Sequence, residues 1–592
     1  MVGEPAGGRR RLEALGRSVR RRLEGDLASA ALAPLIAAAV TLVLVIPTLA
    51  PGVLEWDTAE FQTVGPVLGT AHPTGYPAYV ILGWLASIVL PFGDPAYRMN
   101  LLQAVLAAGV VAGTVALVQH LSGLRWVALA TGLLFLTMPV TSRVGINLPV
   151  SPFGTGPTLW SISTHADPHL FHLALVALLF LLLLLWEDRR RSADEQSRRR
   201  ADRWLVAAAC VYGVAVANHS LALLLPPVIG LFVIAVAPRI FLEWRLLLAC
   251  ALTLLVTAAL LFAELPIRAA MNAPLVYGHP DTWSGFSYVV LGEQFRGSLI
   301  DPLKDLPDKY ALVLNALAAW LGPLSFLAAA GVGSSLIRRP RYVLLAGGAA
   351  VTACLFSASY ANADIARYFL VPLFVAYTFV GLGLADFVTL AGWALGVLSS
   401  RQAVEESEEL EPEEEVEEAD SYDDGPRPGP SWLYPAVEAV VALALVAACL
   451  SVVPERLHVP SNAHPGGVSL ADRTYPATWL HAMLAPVSAG GLPEDSVIIS
   501  WWSVSTTLWY GQRVERLRPD IYIVDDRTRL DDNLGSVTQA IDRFLGQRSV
   551  FVMRMPGGGD GMDTITAMYD LIDYHLPNGI TVAQVISKKG AP

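Results

Sequence analysis

The chain has 592 residues, of which 54% are hydrophobic and only 16% charged, where an average soluble domain carries roughly 25% charge. The formal net charge of −11 comes largely from one acidic run, Glu405 to Asp424, and the rest of the chain is near balance. That distribution gives no basic face and excludes a nucleic-acid partner. Cys210, Cys250, Cys354 and Cys449 all fall inside apolar runs, so they supply neither a disulfide framework nor a metal-ligand spacing.

In chain order, a basic leader (residues 1–30, with Arg9, Arg10, Arg11, Arg20, Arg21 and Arg22) precedes the first apolar run. That run is too long for a signal-peptide core and has no small-residue cleavage site, so it is expected to remain as a span. Apolar runs recur near 31–50, 99–119, 126–140, 169–186, 204–219, 221–237, 246–263, 310–336, 343–358, 368–398 and 434–453, each close to the ~20 residues that cross a bilayer. The run at 77–91 is shorter, at ~15 residues. Arginine-rich segments mark the cytoplasmic side. The leader, the loop with Arg189 to Arg191 and Arg198 to Arg200, and the turn with Arg338, Arg339 and Arg341 share one side only if 77–91 lies at the membrane surface.

The expected fold is therefore a polytopic α-helical membrane protein of about eleven spans plus a juxtamembrane helix, with a C-terminal extracytoplasmic α/β domain. Its expected segments are a cytoplasmic N-terminus (1–30), a transmembrane domain (31–399), an acidic cytoplasmic linker (400–432), a last span (433–453) and the α/β domain (454–592). The linker has no periodicity and reads as solvated. In the last segment, short β-rich runs (Ser496-Val-Ile-Ile499, Ile521-Tyr-Ile-Val524, Ser549-Val-Phe-Val552, Ile580-Thr-Val-Ala583) alternate with helical patterns at 505–516 and 535–546, which predicts a partly parallel sheet. Gly557-Gly-Gly-Asp-Gly561 has no helix start behind it, so a phosphate loop is not expected.

Parity places 51–97, 141–168, 264–309, 359–367 and everything beyond 454 on the outer face, and the chemistry-bearing residues gather there. Asp57 and Glu60 in Trp56-Asp57-Thr58-Ala59-Glu60-Phe61 share a face if the segment is helical. A low-dielectric setting would raise a carboxylate's pKa and suit it to general-base work; spacing alone favours the alternative of a helix cap, with Asp57 at the N-cap. His72-Pro-Thr-Gly-Tyr-Pro77 reads as a rigid turn carrying His72 and Tyr76. Asp167, Asn218-His219, Arg268, Asp364 and Arg367 lie at the outer ends of apolar runs, where ionisable groups are costly and often functional. Together they suit a phosphate-bearing lipid, with arginine holding the phosphate through paired hydrogen bonds. His165 and His169 have the spacing of a metal pair, but Pro168 between them disfavours the helix it needs. No metal ligand or cofactor is assigned, and a divalent metal stays open.

An acidic loop after the first span, the His-Pro-x-Gly-Tyr-Pro turn, a surface helix and Arg98-Met-Asn-Leu-Leu resemble the GT-C superfamily of membrane glycosyltransferases. The resemblance is closer to the transmembrane protein O-mannosyltransferases, whose animal members modify plexin-type receptors and which have many bacterial relatives. Ala217-Asn-His-Ser220, Tyr277-Gly-His-Pro-Asp-Thr-Trp283, Arg367-Tyr-Phe-Leu370, Thr507-Leu-Trp-Tyr510 and Leu517-Arg-Pro-Asp520 extend it across most of the chain. It implies transfer of a sugar, mannose, from a polyprenyl-phosphate donor to a hydroxyl acceptor on protein or glycan, with inversion. Asp57 would be the general base, Glu60 its helper and Asp167 a second acid, standing where the family usually has glutamate. Arg268 or Arg367 would stabilise the leaving phosphate, and His72, Tyr76, His219 and Asp364 would line the substrate site. Ser500-Trp-Trp-Ser-Val-Ser-Thr506 departs from the family's Asp and Asn at that place, which bears on the acceptor. Composition rich in Ala, Arg and Gly suits a bacterial inner membrane. Two other readings are a transporter of polyprenyl-linked glycans, which would want mid-membrane polar groups and inverted repeats, and a non-catalytic scaffold.

Overall fold

The computed structural model describes residues 27–138, 158–192, 194–362, 364–408, 430, 432–461, 467–554 and 560–590. The leader's arginines, residues 139–157 and most of the acidic linker lie outside the described residues, as do three glycines of the Gly557 run. Every apolar run forms helix, because in a bilayer only a helix satisfies each backbone group within its own segment. Among the described residues, seven helices are long and apolar enough to cross a membrane: Ala30–Thr48, Pro95–Ser122, Pro168–Arg190, Trp244–Ala270, Pro340–Ser357, Ile365–Ser399 and Leu433–His458. An eighth is the pair Leu306–Leu321 and Leu324–Arg338, bent by 117° at Gly322-Pro323, where proline removes a backbone donor. The expected count of eleven is not reached. Arg125–Thr137 and Pro226–Val236 are shorter apolar helices, and the run 204–219 is the second half of Glu195–Asn218, whose first half carries arginines. Pro77–Val89 is also short, with 13 residues.

Two helices that frame the site start on the same dipeptide. Asp94 accepts from the Tyr97 amide at 2.7 Å and Asp167 from the His169 amide at 2.7 Å, each followed by a proline. An acidic N-cap with proline at the first helical position satisfies or removes the donors a helix start leaves open. The long helix Leu370–Glu408 runs through the bundle core and crosses Leu324–Arg338 at two glycines. A Cβ on Gly331 would lie 1.9 Å from the Phe379 carbonyl oxygen, and one on Gly383 would lie 2.3 Å from that of Leu327. Small residues let two backbones approach this closely in a membrane bundle. The crossing fixes the helix that Arg367 precedes by one turn.

The C-terminal region folds as a five-stranded sheet in the order β2-β1-β3-β5-β4, with β1 at Val497–Ile499, β2 at Tyr522–Val524, β3 at Val550–Val552, β4 at Tyr569–His575 and β5 at Thr581–Lys588. β1 pairs in parallel with β2 and β3, and β5 runs antiparallel to both β3 and β4. The sequence reading missed β4, whose Asp570 and Asp573 break the apolar pattern. It is an edge strand, where charge discourages pairing with another chain. One sheet face packs on Val537–Phe544 and Asp560–Met568. The other packs on Trp502–Arg513 and Tyr475–Met483 in a core that continues into the first outer loop through Val53, Ala59, Phe61 and Tyr79. Hydrogen bonds seal this junction: Thr507 Oγ1 donates to the Leu54 carbonyl at 2.7 Å, and the Ala96 amide donates to the Tyr510 hydroxyl at 3.2 Å.

The glycine crossing makes a test. Gly331→Ala should destabilise the protein by about 1–3 kcal/mol, the range for overpacking, and lower its melting temperature in detergent. Gly333→Ala, on the same helix with nothing within 4 Å of a new Cβ, should leave it unchanged.

Candidate active site

One end of the helix bundle and the docked sheet line a cavity of about 500 Å³. The short helix Trp56–Val67 supplies one wall. It is not capped by Asp57: Glu55 holds the N-cap position without a side-chain bond, and Asp57 lies in the first turn. The Asp57 carboxylate is thereby free of the backbone and faces the cavity. Trp56 (φ 57°) and Tyr76 (φ 48°) both adopt left-handed backbone and both line the cavity. Such conformations cost roughly 1–2 kcal/mol in a non-glycine residue and collect where surrounding structure over-determines them.

Arg367 organises the wall. Its Nη2 lies 3.3 Å from Asp57 Oδ2 and 2.9 Å from Asp364 Oδ2, and its Nη1 lies 3.1 Å from Asp167 Oδ2. Trp502 Nε1 donates to the other oxygen of Asp57 at 2.9 Å. Burial pushes the Asp57 carboxyl up, but the charges of His72 and Arg367 and the Trp502 bond outweigh it, so its pKa falls below the ordinary 3.8. The expectation of a raised value is thus corrected, because the burial that would raise it comes with cations.

Glu60 is fully buried and turned away from the cavity, onto His72. Its Oε1 accepts from the His72 amide at 2.7 Å and its Oε2 lies 2.5 Å from His72 Nδ1. Glu60 therefore acts on the His72 turn rather than directly on Asp57. Burial lowers the His72 pKa, yet the neighbouring Glu60 and, beyond it, Asp57 carry it above the ordinary 6.5. Its Nε2 points at the Tyr76 hydroxyl, 3.3 Å away. The turn closes through the Gly75 amide donating to the His72 carbonyl at 2.8 Å; Gly75 has φ 82° and stands against Leu265 and Val289, so glycine alone fits without strain.

Asp167 lies behind the cavity, 1% exposed. Burial raises its pKa, but His169 and Arg367 hold it well below the usual carboxylate range. It positions Arg367 and the His169 ring, whose Nδ1 is 2.9 Å away, and does not reach substrate space. Of the residues singled out from sequence, Asp57, His72, Tyr76, His219, Asp364 and Arg367 line the cavity. Arg268 does not, and its expected substrate role is corrected: Nε and Nη2 donate to the Leu68 and Val67 carbonyls at 2.9 and 3.1 Å, capping the helix that carries Asp57. A cation at a helix C-terminus satisfies carbonyls the helix leaves open.

Several lining residues escaped the sequence reading. Trp502 follows β1, and Asp526, Arg527 and Leu530 follow β2. They stand at the carboxyl ends of adjacent parallel strands, the usual ligand-facing edge of an open α/β sheet. Tyr277, Gln294, Phe295 and Arg296 enter from the 264–309 loop, and Tyr360 and Tyr368 flank the Arg367 turn. The clue to Trp502 was its place in Ser500 to Thr506, where an acidic residue was expected; it carries a donor instead. Among the described residues, no group of three or more His, Cys, Asp or Glu has metal-holding geometry.

Comparison with known proteins bears on this geometry. Residues 57–239 match the family model for the Protein O-mannosyl-transferase TMEM260 N-terminal domain, a stretch that contains Asp57, His72, Tyr76, Asp167 and His219. A mouse relative, Protein O-mannosyl-transferase TMEM260, is 27% identical over 385 residues, covering 60% of this chain and 49% of its own; the chain thus spans about half the length of that relative. A crystal structure of the Archaeoglobus fulgidus oligosaccharyltransferase, tethered with an acceptor peptide, superposes with a TM-score of 0.50 at 14% identity, covering 96% of this chain and 74% of that one. Residues 57–239 thus resemble the N-terminal domain of the protein O-mannosyl-transferase TMEM260 family, and the chain as a whole shares the fold of the oligosaccharyltransferase.

Proposed function

We propose that this protein is an inverting glycosyltransferase that moves a sugar, mannose on its family likeness, from a polyprenyl-phosphate donor to a hydroxyl acceptor on protein or glycan. In this reading the reaction takes place at the extracytoplasmic face of a bacterial inner membrane, which the asymmetry of arginines in the sequence supports. The observation that carries the reading is Asp57: an ionised carboxylate on the wall of the cavity, held from two sides by Arg367 and Trp502. Its family context supports a glycosyl-transfer chemistry for that geometry.

The acceptor oxygen attacks the anomeric carbon while its proton passes to Asp57, and the bond from that carbon to the phosphate oxygen breaks. The electron pair leaves with polyprenyl phosphate. A single displacement inverts the anomeric centre. Asp57 is ionised before substrate arrives, and its low proton affinity makes proton transfer late, when the acceptor oxygen has become acidic. Arg367 and Trp502 fix its two oxygens, so the base is oriented at no cost in reorganisation. The aromatic lining of Phe61, Tyr76, Tyr277, Phe295 and Tyr368 suits the apolar faces of a sugar and excludes water that would hydrolyse the donor.

Two measurements test this. Asp57→Asn keeps the shape and an acceptor for Trp502 but loses the Arg367 ion pair, so purified protein given polyprenyl-phosphate mannose and a hydroxyl acceptor should stay folded with a lowered melting temperature and lose roughly 10²–10⁴-fold in turnover. Equal turnover would remove Asp57 as the base.

The second measurement is pH dependence. With Asp57 below 3.8, this group should give transfer no acidic limb between about pH 7 and 5. His72 works in the opposite direction. Its folded pKa lies above 6.5, so its pairing with Glu60 stabilises fully below 6.5 and is lost as pH rises through the folded value. The melting temperature should therefore decline on the alkaline side, and His72→Gln should flatten that decline; parallel profiles would refute it.

A further inference from the structure

We propose that Arg527, and not Arg367, holds the anionic phosphate of the donor and of the departing polyprenyl phosphate; this rests on the donor reading above. The two arginines differ in what already surrounds them. The Arg367 guanidinium has both terminal nitrogens on carboxylates, those of Asp57, Asp364 and Asp167, and leaves only a buried Nε without a partner among the described residues. With Glu60, His72 and His169 included, four carboxylates face one arginine and two histidines at that pole. A phosphate brought there would meet an excess of negative charge in a low-dielectric site, where like charges repel strongly.

Arg527 lies on the opposite wall, first in line from the carboxyl end of β2. Its side chain is 4% exposed and lines the cavity. The guanidinium is held between two rings, 4.5 Å from the Tyr277 centroid and 5.2 Å from that of Trp509. Asp531 accepts from Nε at 3.3 Å, while Nη1 is buried and unpartnered among the described residues. A buried donor left open costs free energy, which an incoming anion relieves. Of the other acids beside it, Asp526 is taken by Arg529 at 2.5 Å and the buried Asp525 accepts from the Thr528 amide at 2.9 Å, while Arg296 adds a cation at the rim, 3.5 Å from Glu293.

The aromatic contacts also set the spacing. Trp502, which holds Asp57, stands edge-on to Trp509 with centroids 5.7 Å apart, and Arg527 lies over the Trp509 ring. Two indoles thus link the base to the guanidinium along one side, while Asp57 and Arg527 both line the same cavity. An in-line displacement needs this order: base and acceptor on one side of the anomeric carbon, leaving phosphate on the other. The planar, always-charged fork of arginine suits phosphate oxygens.

The test measures binding of two probes to the purified full-length chain in nanodiscs: polyprenyl phosphate, and an uncharged polyprenyl mannoside of the same chain length. Arg527→Gln should weaken polyprenyl phosphate by roughly 10- to 100-fold, the loss of a charge-assisted pair, and leave the neutral mannoside unchanged. Arg527→Lys, which keeps the charge and the stem, should fall between. Inorganic phosphate should compete only at far higher concentration, since it lacks the chain; competition equal to that of polyprenyl phosphate would make this a free-phosphate site and overturn the lipid assignment. If wild type neither binds polyprenyl phosphate nor transfers from its mannoside, the function proposed above fails. If wild type does both and the Gln and Lys variants bind polyprenyl phosphate as wild type does, the Arg527 assignment alone is overturned. Should the Gln variant not fold, the Lys variant decides.

Discussion

One guanidinium joins the outer end of this molecule. Arg367 touches carboxylates from the first outer loop, from the loop before Pro168–Arg190 and from its own turn, so parts of the chain separated by about three hundred residues share one charge centre. A buried ion is tolerated only when paired, and removing one partner leaves the others uncompensated at a cost of about 3–5 kcal/mol. The arrangement thus links folding to the site: the same contacts that make burial of Asp167 and Asp57 acceptable also hold Asp57 ionised and aimed at the cavity. The Gly331 and Gly383 crossing supports this indirectly, by setting where the long helix begins and so where Arg367 stands.

The C-terminal sheet completes the cavity. Trp502 gives Asp57 its second hydrogen bond, and Arg527 reaches the opposite wall, both from the carboxyl ends of parallel strands. Apolar packing of Trp509, Leu508 and Tyr510 against the first loop holds the sheet there. The membrane bundle alone would leave Asp57 open to water on that side. With water present, the Arg367 contacts would be screened, and the carboxylate would lose both its orientation and part of its shift.

Much of the frame was legible in the sequence, for local reasons. Apolar runs of span length become helices because no other conformation satisfies the backbone in lipid. Asp94-Pro95 and Asp167-Pro168 start helices because their side chains and rings meet the needs of a helix N-terminus. The strands at 497, 522, 550 and 581 showed in their β-branched residues, whereas β4 did not, its edge position having replaced the apolar pattern with acids. The bend at Gly322-Pro323 was hidden within a single apolar run, and the short helices Arg125–Thr137 and Pro226–Val236 were read as full spans. Arg268 was misjudged because a cation beside an outer loop looks the same in sequence whether it faces a ligand or caps a helix.

By itself the sequence determined which stretches are apolar helices, that the C-terminal segment mixes strands and helices, and that acids, histidines and arginines collect at the ends of the apolar runs. It also placed Asp57 first among them. Tertiary structure alone decided which cation meets which acid. Whether a carboxylate's pKa rises or falls depends on the sum of burial and nearby charge, and for Asp57 the deciding charges come from residues 72 and 367 and the decisive donor from residue 502. Those distances in sequence carry no local pattern. They become contacts only when the bundle and the sheet pack together, which is why Glu60 turned out to serve His72 and Asp167 to serve Arg367.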